Sequence, residues 1–385
     1  MTNYFHTLCH LSTKQIMSKT TKKLGKITTF LIVFAIALFF GYMLGKLLKG
    51  DSSVESNVGI NTWLVILAIF PIVFFVLGIH EAGHALAGKM VGFELIKFAV
   101  GPLSMDKTEG IWKFHFNKSI ETYGGLVISF PKGDQNLGPR FMKYVLGGPI
   151  ASLLLALLAL LFYFLIPSLA VYFINIGIMS FMIFIVTIIP AKAGSFYTDG
   201  ARFFRIFKGG KVGQYEVSFL KIMANTLQGV RPRELVGLPD LLDLGIELNE
   251  PYVVYLYGIM HQHAWDKNEI GDAEIYLEKY LEGTAAAPAM IANSAILDAA
   301  FFHAYEKKDL EKSNAYFQKF VMQPFISKTQ VLATEASIHF IKGEVELAKE
   351  KATAAKAGME HILDKGMSVI YGEKIDILIG IWNDH

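Results

Sequence analysis

The chain has 385 residues, 53% of them hydrophobic and 18% charged, with a formal net charge of +2 and one cysteine. That apolar content excludes an ordinary soluble domain, and the near-zero charge excludes a general pull toward nucleic acid. The lone Cys9, in a polar basic tail, excludes an internal disulfide and any zinc site built from several cysteines.

A bilayer core about 30 Å thick needs roughly 20 apolar helical residues. Residues 1–26 read as a basic tail, with Lys14, Lys19, Lys22, Lys23 and Lys26 and no acid. Ile27–Gly45 is uncharged and predicts a first span over about 27–48. Its length and the lack of a small-x-small site after it favour a retained anchor over a cleaved signal peptide. Val58–Ile79 predicts a second helix over about 60–88. Phe93–Val100, Ile111–Phe116 and Gly125–Phe130 are β-prone and make 92–135 a β insertion. Tyr144–Ala191 carries no charge and predicts two more spans, about 142–166 and 169–190, turning at Pro167-Ser168. The expected fold is a mainly α membrane protein: four transmembrane helices with a small β insertion over 27–210, then a soluble helical domain over 211–385. Lysine is enriched in the tail, in 89–143 and in 192–211, which places those segments and both termini on the cytoplasmic side.

Near that end of the second helix stands His80-Glu81-Ala82-Gly83-His84. Positions i and i+4 share a helix face, so both imidazoles can reach one zinc ion. Glu81 lies beside the metal, placed to take a proton from water rather than to ligate. Two helix-face histidines with a chance acid is the plainer reading. Three ionisable groups abutting an uncharged run argue against it. A catalytic zinc usually has three protein ligands and an open position. Asp199, in Pro190-Ala-Lys-Ala-Gly-Ser-Phe-Tyr-Thr-Asp199-Gly200, falls on the same side, as either the third ligand or a loop aspartate capping a helix.

These residues resemble the site-2 protease family of intramembrane zinc metallopeptidases over about 60–210. The resemblance rests on H-E-A-G-H at 80–84, on G-P-I-A-S at 148–152 and on Asp199-Gly200. It departs at Thr187, where the family often has asparagine. It implies Zn2+ as cofactor, His80, His84 and Asp199 as its ligands, and Glu81 as the catalytic base. It also implies substrate contacts at the Gly124-Gly125 strand and at Gly148 and Ser152. By strand addition, an exposed edge can stabilise an unwound substrate; a plain cytoplasmic hairpin is the alternative. Ser152 either bonds the substrate or is a small residue for helix packing. His115 reads as a surface residue.

In the soluble half, His263–Tyr276 echoes His303–Tyr316 at an offset of 40 residues, with a looser copy from Ile338 through Val345. Helix, polar turn, helix, repeated, resembles tetratricopeptide repeats and suggests an α-solenoid that binds a protein partner. His261, His263, His303 and His339 are expected as surface histidines. The expected function is intramembrane proteolysis of a membrane-embedded or membrane-associated protein or peptide near the cytoplasmic face of a prokaryotic cell membrane. The alternative is a membrane-tethered adaptor with a structural zinc site.

Overall fold

The computed structural model describes residues 62–108, 111–117, 123–193, 196–323 and 326–383. The basic tail, Cys9 and the first expected span lie outside the described residues. In chain order the elements are α1 (Thr62–Met90), β1 (Phe93–Val100), β2 (Leu103–Thr108), β3 (Ile111–Phe116), β4 (Leu126–Pro131), α2 (Leu137–Leu165), α3 (Ala170–Ile188), β5 (Lys192–Ala193), β6 (Phe196–Tyr197) and α4 (Asp199–Lys208). Among the described residues, nine α-helices follow: α5 (Gly210–Leu227), α6 (Leu238–Glu247), α7 (Val253–Asp266), α8 (Ile270–Gly283), α9 (Ala289–Tyr305), α10 (Leu310–Phe317), α11 (Lys328–Ile341), α12 (Val345–Ala357) and α13 (Lys365–Asn383). Residues Ala68–His385 form one compact unit.

Three helices among the described residues are long and apolar enough to cross a membrane: α1, α2, and α3 with the 3-10 turn before it. Leu154, Leu157, Leu161 and Phe164 lie exposed on α2, which suits hydrocarbon rather than water. The second of these helices begins at Leu137 rather than near 142. Its first turns bury Leu137 and Phe141 in a cluster with Leu220 and Ala224 of α5. Tertiary packing thus carries it beyond the uncharged run.

The insertion is a four-stranded antiparallel sheet in the order β3-β2-β1-β4, so β4 is an edge strand. Lys97 faces Asp106 across β1 and β2 in a buried 2.7 Å ion pair. His115, half-exposed on β3, joins the same aspartate at 3.2 Å. Arg140 of α2 holds the roots of the sheet. Its guanidinium donates to the carbonyls of Val91 and Gly92 where α1 ends, and to those of Lys132, Gly133 and Gln135 where β4 leaves.

The rest is helical. Pairs α7/α8, α9/α10 and α11/α12 are each joined by a short turn with one left-handed residue: Asn268 (φ 63°), Lys308 (φ 52°) and Gly343 (φ 77°). Asn268 and Lys308 occupy the same place in the 40-residue echo, so the repetition is also one of backbone conformation. The histidines do not follow the sequence expectation. His261, His263 and His303 are buried, at 0%, 8% and 6% exposure. Their helices are covered on more than one face, and two of the rings satisfy Nδ1 on backbone carbonyls, of Ala273 at 2.8 Å and Pro232 at 2.6 Å.

Phe301 is fully buried in this core and stacks on Tyr371 with ring centroids 4.6 Å apart. Phe301→Ala is expected to cost about 3–5 kcal/mol. The drop in thermal midpoint of the detergent-solubilised protein measures it; an unchanged midpoint would mean that α9 and α13 do not share a core.

Candidate metal centre

The site begins with a close approach of two membrane helices. A Cβ on Gly83 of α1 would lie 2.3 Å from the carbonyl oxygen of Gly147 of α2. The reverse substitution would place a Cβ 2.4 Å from the Gly83 oxygen. Only glycine permits this contact, an instance of the small-residue packing that brings helices together in lipid. One residue on, a Cβ at Gly148 would come within 2.3 Å of His84 Nε2 and 2.8 Å of His80 Cε1. The imidazoles therefore lie directly beneath the backbone of α2.

That backbone orients them. His84 Nδ1 bonds the Tyr144 carbonyl at 3.0 Å. A carbonyl only accepts, so this shorter bond needs the proton on Nδ1 and leaves Nε2 its lone pair, although the Gly148 amide also approaches Nδ1, at 3.3 Å. His80 Nδ1 meets Ser152 Oγ at 2.9 Å, and Ser180 of α3 donates to the Ser152 carbonyl at 2.8 Å. Ser152 is fully buried. It therefore packs and also orients an imidazole, a role the sequence did not suggest.

Asp199 reaches the same point from beyond α3. It is the first residue of α4, and the N-cap is Thr198, whose hydroxyl accepts from the Ala201 amide. Gly200 must be glycine, since a Cβ there would sit 1.8 Å from the Ile188 carbonyl oxygen. Burial pushes the Asp199 carboxyl up, and a proton or metal cation shared with His80 and His84 outweighs it and keeps the group an anion. The helix N-terminus favours the same anion. Thr187, the departure noted in the sequence, turns its hydroxyl back to the Ile183 carbonyl of its own helix at 2.9 Å.

The three atoms form a nearly equilateral triangle. His80 Nε2 and His84 Nε2 are 3.3 Å apart. Asp199 Oδ2 lies 3.3 Å from the first and 3.4 Å from the second. A tetrahedral ion with bonds of about 2.0–2.1 Å spaces its ligands about 3.3–3.4 Å apart, so the trio fits zinc. Lone pairs converging on one buried point repel one another unless a proton or a metal ion lies between them.

Glu81 is buried beside this trio. The Val127 amide of β4 donates toward its carboxylate. Gly125 has φ 108°, and a Cβ there would lie 2.3 Å from Glu81 Oε1, so both conformation and clearance require glycine. A side chain at Gly124 would meet nothing within 4 Å. The structure thus gathers His80, Glu81, His84, Gly125, Gly148, Ser152 and Asp199 at one place, with Gly124 at the open margin.

A further group, not visible in the sequence, anchors α4. Arg205 donates to Glu216 of α5 at 2.7 Å and to Glu250, ahead of α7, at 2.6 Å. Tyr197 donates its hydroxyl to Glu250 at 3.0 Å, and the Arg205 guanidinium stands 4.2 Å from the Tyr197 ring centroid. Both acids are buried, at 1% and 6% exposure. The helix that begins with Asp199 is thereby tied to the helical half.

Among known proteins, the family model described as Peptidase family M50 matches residues 68–371. No curated protein and no solved structure matches the chain.

Arg205→Ala would remove the close cation from two buried carboxylates, leaving Arg202 at 3.9 Å from Glu216 and the Tyr197 hydroxyl on Glu250, at a cost of about 3–5 kcal/mol. Zinc affinity of the purified protein, read by competition with a chromophoric chelator, is expected to fall about 10–100-fold as Asp199 loosens. Tyr197→Phe should give a smaller drop. Undiminished affinity in a folded Arg205→Ala protein would show that α4 places Asp199 without this clamp.

Proposed function

This chain belongs to peptidase family M50, and we propose that it is a zinc-dependent membrane endopeptidase. Its substrate is a protein or peptide embedded in or associated with the bilayer, cut near the cytoplasmic face. The observation that carries this reading is the Nε2, Nε2, Oδ2 triangle of His80, His84 and Asp199 with Glu81 beside it. A purely structural site has no need of a buried carboxylate next to its ligands.

The roles follow from the residues. His80, His84 and Asp199 hold the metal and leave a fourth position open. A zinc ion there supplies Lewis acidity to water and to the scissile carbonyl. Glu81 accepts the proton of the attacking water and returns it to the amine that leaves. The Val127 amide and the clearance at Gly125 keep the Glu81 carboxylate aimed at the site. Ser152 and the Tyr144 carbonyl hold the imidazoles in the tautomers that ligate.

Substrate binding is assigned to the backbone near the site. A helix must unwind before its carbonyls can be attacked, and β4, as an edge strand led in by Gly124 and Gly125, offers unpaired backbone groups to an extended chain. Gly148 leaves room above the histidines. The lysine-rich segments 89–143 and 192–211 support a cytoplasmic location for this end of the helices. The helix pairs α7/α8, α9/α10 and α11/α12 support a tetratricopeptide-like array that engages a protein partner.

The test compares wild type, Glu81→Gln and Asp199→Ala, each purified in detergent, for zinc content and for cleavage of a model transmembrane peptide. Wild type should carry about one zinc and cut. Glu81→Gln should keep the metal and lose cutting by a factor of about 10²–10⁴, while Asp199→Ala should lose both. Zinc should also leave wild type on acidification, because protons compete for the ligand nitrogens. Cutting by Glu81→Gln at the wild-type rate would leave the membrane-tethered adaptor as the better reading.

A further inference from the structure

A second buried polar site lies away from the metal centre, in a cavity of about 180 Å³ beneath β4. Ile128 and Phe130 of the strand form one wall; the helical half closes the others. The cavity exceeds the roughly 150 Å³ of an apolar cavity that binds benzene, so it holds something the size of one side chain. Its lining is unlike that of a packing void. Asp298 of α9, Asp364 ahead of α13, Gln262 of α7 and Gln330 of α11 all face it, and no Lys, Arg or His is among its lining residues.

The two carboxylates differ in how they are held. Asp364 accepts the Met367 amide at 2.9 Å and so caps α13. Asp298 sits in the middle of α9, is 5% exposed, and has the Tyr371 hydroxyl at 3.4 Å and the Gln262 side chain as its neighbours. Neither acid is in an ion pair among the described residues, whereas Asp266, Glu306 and Glu250 of the same half are each paired with Arg or Lys. Burial pushes the Asp298 carboxyl up to about 7 and raises Asp364 as well. A mid-helix aspartate buried without a countercharge is costly unless something supplies one.

We propose that this cavity binds a side-chain-sized organic cation, the ammonium or guanidinium group of a basic residue in a peptide. Asp298 and Asp364 pair with the charge. Gln262 accepts one of its remaining N–H groups, and the apolar wall of Ile128 and Phe130 covers the alkyl stem, as long basic side chains require. The occupant lies against β4, the strand whose Val127 amide meets Glu81. The site stands on the cavity alone and does not depend on the peptidase reading.

The test uses the full chain in lipid nanodiscs with Glu81→Gln, so that peptide probes stay intact. A fluorescein-labelled acetyl-Gly-Ser-Lys-Ser-Gly-amide, its norleucine counterpart and n-butylammonium as competitor are titrated by fluorescence anisotropy. The lysine peptide should bind saturably and at least about tenfold tighter than the norleucine peptide, a loss in keeping with one charged hydrogen bond. Asp298→Asn, which keeps the volume and both neighbours, should weaken the lysine peptide by about tenfold or more. Ser294→Phe, which fills the cavity, should abolish binding, and butylammonium should compete. Butylammonium binding that depends on Asp298, without peptide binding, supports the cation site and assigns it to a free amine. Equal binding of lysine and norleucine peptides, undiminished binding by Asp298→Asn, or no binding of either cation overturns the proposal.

Discussion

Gly83 of α1 and Gly147 of α2 touch backbone to backbone, and the geometry of the candidate metal centre descends from that contact. With no side chain between the helices, the imidazoles of His80 and His84 come up beneath Gly148. Their Nδ1 atoms then reach groups on the facing helix, the Tyr144 carbonyl and the Ser152 hydroxyl. Metal bonds tolerate only about 0.2 Å of error. A methyl group at either glycine would push the helices apart by far more than that. In lipid no hydrophobic gain opposes such a separation, so van der Waals contact between small residues is what holds the pair together.

The third member of the trio is placed by different means. Asp199 arrives at the start of a short helix, fixed by the Thr198 cap, by the contact of Gly200 with the end of α3, and by Arg205. The acids that receive Arg205 belong to α5 and to the segment before α7. The helical half is therefore not a passive appendage, because part of what holds Asp199 in position lies within it. The packing of Leu137 and Phe141 against Leu220 and Ala224 adds an apolar tie between the same two regions.

What the sequence revealed was local chemistry. The i, i+4 spacing of His80 and His84, the adjacent Glu81, the Asp199-Gly200 step and the glycines at 125 and 148 are all short-range patterns with a physical reason visible in a few residues. Three strands of the β insertion were legible from their apolar runs, whereas β2, with Asp106 and Lys107 in it, was not; the helix pairs were legible from the echo that places Asn268 and Lys308 at equivalent turns. The contacts that were not legible join distant positions. Arg205 and Glu250 are 45 residues apart, and Arg140 spends its donors on five backbone carbonyls that no composition reveals. The histidines of the helical half were misjudged for a related reason. A polar residue on a helix reads as solvent-facing only if one face is free, and stacked helix pairs leave few free faces.

Those core histidines also show what separates a candidate ligand from a satisfied side chain. His261 and His84 look alike on one side: each gives Nδ1 to a backbone carbonyl of another element. They part at the other nitrogen. His261 Nε2 has no partner among the described residues and lies among the rings of Trp265 and Phe302. Burial there lowers its pKa to about 4, and the neutral ring behaves as an apolar plate. His84 Nε2 instead faces a second imidazole nitrogen and a carboxylate oxygen at bonding distances for a shared ion. A core has no use for three electron pairs aimed at one point. The arrangement is stable only with a proton or a metal ion among them, which is why the second nitrogen, and not burial or the helix motif alone, marks the candidate metal site.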